Sequence, residues 1–248
     1  MSKNQYNIPI LMYHRVVEDP SRESGSIDIW VSSRHLEKQF DLLKSKRIEP
    51  ITFAQLAHLD PRLVKDNVIL TFDDGYADNY DMLLPLLKKY GYTAVIYLVS
   101  KRKFNQWDVA QNGTPEYSLL TLQQMKEMKA YGIEFGSHTE THPNLLGLDD
   151  VALENEISGS KKDIDQLLNQ DTLSFAYPYG SCNEKIKLLV KKAGYKFGIS
   201  TKNGPYSFWE DPFQIRRQVM RSGTGLFQFR RKVSGFYYHP NPLKSVFY

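Results

Sequence analysis

Seven short runs of apolar and β-branched residues punctuate the chain: NIPILMY (7–13), NVILTF (67–72), YTAVIYLV (92–99), GIEFGS (132–137), TLSFAY (172–177), YKFGIS (195–200) and FQIRRQV (213–219). Each has the length and composition of a β-strand. Between them apolar positions recur at helical spacing: Leu36, Phe40 and Leu43 behind Ser32 and Ser33, Leu122, Met125 and Met128 behind Thr121, and the stretch from Val151 to Leu168 behind Asp149 and Asp150. Ser, Thr and Asp at those points are helix N-caps, because their side-chain oxygens accept from the first free backbone N–H groups. Gly91, Gly132 and Gly194 each follow a lysine-bearing helical stretch and precede a strand run, where a left-handed residue stops a helix. Strand and helix alternating about seven times predict an α/β fold of parallel strands with right-handed crossovers, either an open sheet or a barrel. Nothing in residues 1–248 reads as a linker or an internal repeat, so one domain is expected. Two stretches without either period, 14–31 and 100–120, are read as loops that shape a groove, and they carry Trp30 and Trp107.

Composition narrows the function classes. With 41% hydrophobic and 24% charged residues the chain has an ordinary globular make-up. Its longest apolar stretch, Ala94 to Val99, is far short of the roughly 20 residues a membrane span needs, so no transmembrane segment is expected. The N-terminal MSKNQYNIPILMYHRV lacks the apolar segment and small-residue cleavage site of a signal peptide. A single cysteine, Cys182, excludes an intrachain disulfide and any thiolate cluster, which leaves metal chemistry to His, Asp or Glu. The net charge of +4 comes from basic residues spread along the chain, so no nucleic-acid partner is expected. Sixteen tyrosines offer flat amphipathic faces suited to sugar rings, although a Tyr-rich core accounts for them equally well.

Four strand ends carry candidate chemistry. Asp73 and Asp74 close the run 67–72 just before Gly75, where alternation along the strand and a glycine turn let the two carboxylates diverge and do different jobs. GSHTETHPN (136–144) sets His138 and His142 beside another strand end, and Pro143 pushes its predecessor out of the helical region, so a folded loop is expected. Two neutral imidazoles with one carboxylate form a three-ligand set that leaves a position open on a zinc-like ion. In SFAYPYGSCN (174–183) the rigid Tyr177-Pro178-Tyr179-Gly180 turn could aim a backbone N–H into the same rim. His14 ends the first run, in MYHRV. Each feature alone reads as a turn or a structural side chain; four of them on one rim do not. Asp78 and Asp81, just beyond, read as early-helix carboxylates favoured by the dipole.

The motifs TFDDG (71–75), SHTETHP (137–143) and AYPYG (176–180), in this order over about the middle half of the chain, resemble the polysaccharide deacetylase, or NodB-homology, family of carbohydrate esterases. With LMYHRV near the N-terminus the resemblance narrows to exopolysaccharide deacetylases of the IcaB/PgaB type, which act on poly-β-1,6-N-acetylglucosamine. The resemblance implies a distorted (β/α) barrel of about seven parallel strands and metal-dependent removal of N-acetyl groups. It makes Asp73 the general base and Asp74, His138 and His142 the ligands of one divalent ion, zinc by preference, with cobalt, nickel or iron also suited to that donor set. It gives the backbone N–H of Tyr179 to the oxyanion and the role of catalytic acid to His14. Many members carry an Arg two residues before the proline of the third motif; Ala176 stands there, so Arg216 or Arg217 is expected to supply that charge and orient the base. Tyr177 and Tyr179, then Trp107, Trp209 and Trp30, are the expected sugar-binding aromatics. The expected partner is the polysaccharide, outside the cell or in peripheral association with its surface. Chitin oligomers and peptidoglycan stay open as substrates, as does a non-catalytic carbohydrate-binding role.

Overall fold

The computed structural model describes residues 8–23, 28–59, 66–202 and 211–234. Among the described residues ten strands run β1 Ile10–Tyr13, β2 Arg15–Val17, β3 Trp30–Ser32, β4 Glu49–Pro50, β5 Asn67–Phe72, β6 Val95–Leu98, β7 Glu134–Ser137, β8 Ser174–Ala176, β9 Phe197–Ile199 and β10 Gln218–Val219. The α-helices are α1 Ser33–Ser45, α2 Phe53–Leu56, α3 Leu84–Tyr90, α4 Gln106–Asn112, α5 Leu122–Tyr131, α6 Asp150–Glu154, α7 Ser160–Leu168, α8 Glu184–Lys192 and α9 Leu226–Val233. Two five-residue π-helical segments, Asn79–Leu83 and Asn155–Gly159, lead into α3 and α7.

Seven parallel strands in the order β10-β1-β5-β6-β7-β8-β9 make a curled half-barrel, with β4 beside the start of β5. All seven predicted runs contribute a strand to it. The predicted run 213–219 is a regular strand only at Gln218–Val219, because the segment changes partners on the way. Its first part joins β9: Gly198 N donates to Pro212 O at 2.8 Å, Ile215 N to Gly198 O at 2.9 Å and Ser200 N to Ile215 O at 2.7 Å. Its last part pairs Gln218 and Val219 with Leu11 and Met12 of β1. The segment is therefore a seam between the two ends of the curl. The stretches read as loops hold more structure than expected: β2 and β3 pair in parallel within 14–31, and α4 lies within 100–120.

Strand alternation sorts the core. Ile10, Ile69, Val95, Tyr97, Ala176 and Ile199 face inward into one cluster, while Leu11, Leu70, Ile96 and Phe135 face out against Leu36, Phe40 and Leu43 of α1 and Leu84 and Leu87 of α3. A Cβ on Gly136 would lie 2.4 Å from the Tyr97 ring, so β7 needs a glycine there. The expected caps are present: the Ser32 side chain accepts from His35 N, Thr121 and Gln124 form a capping box, and Asp149 accepts from Ala152 N. Each such cap contributes about 1 kcal/mol.

Candidate active site

Ile69, Thr71 and Asp73 share the inward face of β5 and its continuation, so strand parity alone turns Asp73 toward the interior. There Arg217 meets it with both arms, Nη1 to Oδ1 and Nη2 to Oδ2, each at 2.6 Å. The guanidinium is fully buried and is tied further by Nε to Ser200 O at 3.2 Å and by Nη1 to Thr71 Oγ1 at 3.0 Å. Burial pushes the Asp73 carboxyl up, but Arg217 outweighs it and holds the pKa at about 2. Ala176 faces the same interior, and the charge arrives across the seam. Arg217 rather than Arg216 is the partner, because neighbouring residues of an extended segment point to opposite sides; Arg216 is half-buried and makes no contact with Asp73 among the described hydrogen bonds.

Asp74 departs from the strand. Its φ of +72° is left-handed, which swings the second carboxylate away from the first and onto the rim. Its Oδ1 lies 3.5 Å from His138 Nε2 and 3.5 Å from His142 Nε2, and all three donors fall within 4.8 Å of one another. His138 Nδ1 donates to Ala176 O at 2.7 Å, which fixes the tautomer and leaves Nε2 with a free lone pair. Asp74 Oδ1 is buried with no hydrogen-bond partner. Burial, then Asp73 and Asp108, push the Asp74 carboxyl well up; burial pushes both imidazoles down, that of His142 furthest. Neutral imidazoles and a carboxylate that is costly to charge without a counter-ion fit a divalent cation at their common point.

The loops that present these groups are strained and braced. Four of the seven described non-glycine residues with left-handed backbone lie here: Asp74, Thr139 (φ +72°), His142 (φ +65°) and Tyr179 (φ +58°). Such conformations persist only where the surroundings over-determine them. Glu156, in the second π segment, does this for the histidine loop by accepting from Glu140 N at 2.8 Å and Thr141 N at 2.9 Å, while His142 N donates to Thr139 Oγ1 at 2.9 Å. Gly159 in that segment makes room, since a Cβ there would meet Glu140 Oε1 at 2.1 Å. Sequence reasoning passed over Glu156, because a π bulge leaves helical periodicity almost intact and a lone Glu on a helix reads as solvated.

His14 follows β1 with its Nδ1 buried and unpartnered; burial lowers its pKa to about 4 against the pull of Asp73, so the ring is neutral at rest. Two expected sugar platforms are corrected. Tyr177 is fully buried, because it shares the outward parity of Phe175; its ring packs on Phe175 and its hydroxyl donates to Phe213 O at 2.8 Å. Trp107 is buried too, stacked on the His142 ring at 4.4 Å, so it backs a candidate ligand instead of facing a sugar. Tyr179 is 44% exposed and meets the His142 ring edge-on at 4.8 Å. Trp30 and Tyr117 line a small cleft whose inner wall is Tyr76 and Asp108. Trp209 lies outside the described residues. Asp78 stands at the start of the first π segment, as expected of an early-helix carboxylate, and does more there: it accepts from Val16 N at 3.1 Å and pairs with Arg15 Nε at 2.9 Å, and burial raises its pKa to about 6 against the pull of Arg15.

Comparison with known proteins agrees with this geometry. Residues 61–198 match the family model described as polysaccharide deacetylase. YxkH of Bacillus subtilis (strain 168) is 32% identical over 219 residues, covering 87% of this chain and 72% of YxkH. The poly-beta-1,6-N-acetyl-D-glucosamine N-deacetylase of Staphylococcus aureus (strain MRSA252) is 25% identical over 218 residues, covering 84% of this chain and 73% of that protein. The Streptococcus pyogenes deacetylase PplD, solved in complex with acetate, superposes with a TM-score of 0.80 at 27% identity over 93% of this chain and 100% of that one. A rim that joins a two-histidine, one-carboxylate set to an arginine-paired acid, on a barrel shared with a deacetylase and in a sequence matched through its middle, places this chain in the polysaccharide deacetylase family of carbohydrate-acting hydrolases.

Proposed function

We propose that the protein removes N-acetyl groups from poly-β-1,6-N-acetylglucosamine at or outside the cell surface, with one divalent ion, zinc by preference, held by Asp74, His138 and His142. The observation that carries this reading is the pairing of that donor set with a separate carboxylate, Asp73, which its arginine keeps ionised. Similarity to the Staphylococcus aureus deacetylase supports the choice of polymer. Among the described residues no helix is long and apolar enough to cross a membrane.

An ion held by Asp74, His138 and His142 would supply polarisation of the acetyl carbonyl and would lower the pKa of water from about 15.7 toward 7. Asp73, kept ionised by Arg217, is the carboxylate free to accept a proton. Asp73 then removes that proton as water attacks the acetyl carbon. The Tyr179 N–H steadies the oxyanion, and one such donor contributes about 3–4 kcal/mol in the transition state. The proton that Asp73 takes from water passes to His14, neutral at rest, which delivers it to the departing nitrogen as the C–N bond breaks. Acetate leaves and the amine stays on the polymer.

The test is acetate release from poly-N-acetylglucosamine, chitin oligomers and peptidoglycan, each with and without chelator and with metal added back. Release from the first polymer above the others, lost on chelation and restored by zinc, is expected. Chelator-resistant release overturns the metal assignment, and preference for another polymer overturns the substrate. Sugar contacts are assigned to Tyr179 and Trp30 at the rim. Tyr177→Phe is expected to cost about 1 kcal/mol in urea unfolding, from the donor lost to Phe213 O, and to leave KM unchanged.

A further inference from the structure

The chain leaves the curled sheet at His14. The last ladder bond on this side is Asp73 N to Tyr13 O at 2.9 Å, and β2 begins at Arg15 in a different, two-stranded sheet with β3. The backbone of residue 14 is therefore held by neither sheet. It is held from the first π segment and the residue before it: Asn79 Nδ2 donates to the His14 carbonyl at 3.0 Å, and Asp78 Oδ1 accepts from Val16 N at 3.1 Å. The two clamps are locked to each other, since Asn79 Nδ2 also donates to Asp78 Oδ1 at 2.9 Å. Asn79 is fully buried. Asp78 is fixed in turn by Arg15, whose guanidinium lies 3.5 Å over the Tyr117 ring and also pairs with Glu23. Asn79 and Asp78 belong to the turn that follows Asp73 and Asp74, so the clamp ties the His14 backbone to the loop carrying the base and a metal donor.

We infer that Asn79 and Asp78 are positioning residues for His14, setting the imidazole at the distance from the reacting nitrogen that proton delivery requires. The inference rests on the reading of His14 as the acid. A displacement near 1 Å in such a group costs about 100-fold in rate, and a loosened backbone at residue 14 moves the whole ring.

The experiment compares wild type with Asn79→Ala and Asp78→Asn, the second preserving shape if the first does not fold. Two substrates separate the roles: an N-acetylglucosamine polymer, whose amine leaves only when protonated, and p-nitrophenyl acetate, whose phenolate leaves without a proton. Expected is a fall of about 10- to 100-fold in kcat on the amide, with KM, metal content and ester turnover near wild type. In a His14→Ala background, adding Asn79→Ala is expected to cause no further loss. Equal losses on amide and ester, or additive losses with His14→Ala, overturn the positioning role. Wild-type amide turnover by His14→Ala alone instead removes the acid from His14, and the positioning role with it.

Discussion

Asp73→Asn is expected to lower kcat for N-acetyl hydrolysis by about 10²- to 10⁴-fold while metal uptake stays at the wild-type level. The amide keeps the size of the carboxylate and one acceptor oxygen but cannot take a proton. Metal uptake is the sharp part of the expectation, because the proposed donor set is Asp74, His138 and His142, and Asp73 lies on the opposite parity of the same strand end. Asp74→Asn should do the reverse and lose metal affinity first. Turnover assays and metal analysis on both variants check this. Wild-type kcat in Asp73→Asn, or loss of metal from it, would sink the division of labour between the two acids.

Arg217→Met is expected to cost about 3–5 kcal/mol of stability in urea unfolding and most of the activity, whereas Arg216→Met should change turnover little. The asymmetry follows from burial. Arg217 sits in the interior with two 2.6 Å contacts to Asp73 and two further bonds to Ser200 O and Thr71 Oγ1. Removing it strands a buried carboxylate and two polar partners, and burial is the influence that raises the Asp73 pKa. The same carboxylate, unpaired, then loses its fixed orientation toward the rim. Equal behaviour of the two variants would mean that the arginine identified here is not the one that orients the base.

Much of this was legible in the residues, and what was not has identifiable causes. The seven sheet strands were readable because short continuous β-branched and apolar runs mark buried parallel strands without tertiary context, as in NVILTF, whose limits match β5. Strands β2, β3 and β4, two or three residues each, are shorter than any periodic signal. The motif histidines and acids were legible as strand-end chemistry, yet side-chain direction was not: Tyr177 and Tyr179 looked equivalent until parity put one in the core and a left-handed turn put the other on the rim. The choice between Arg216 and Arg217 hinged on the register of a two-residue strand. Asp78 and Glu156 looked like ordinary helix acids because the bonds they accept come from segments 62 and about 15 residues away in sequence.

The seam formed by residues 212–219 bears on when the molecule becomes active. Synthesis runs from the first residue onward, so every candidate metal donor leaves the ribosome well before Arg217 does. A nascent chain lacking this segment has the candidate metal donors but no guanidinium to pair with Asp73. On the proposed mechanism, hydrolysis is expected only once β10 has docked between β9 and β1, with α9 still to pack on α1.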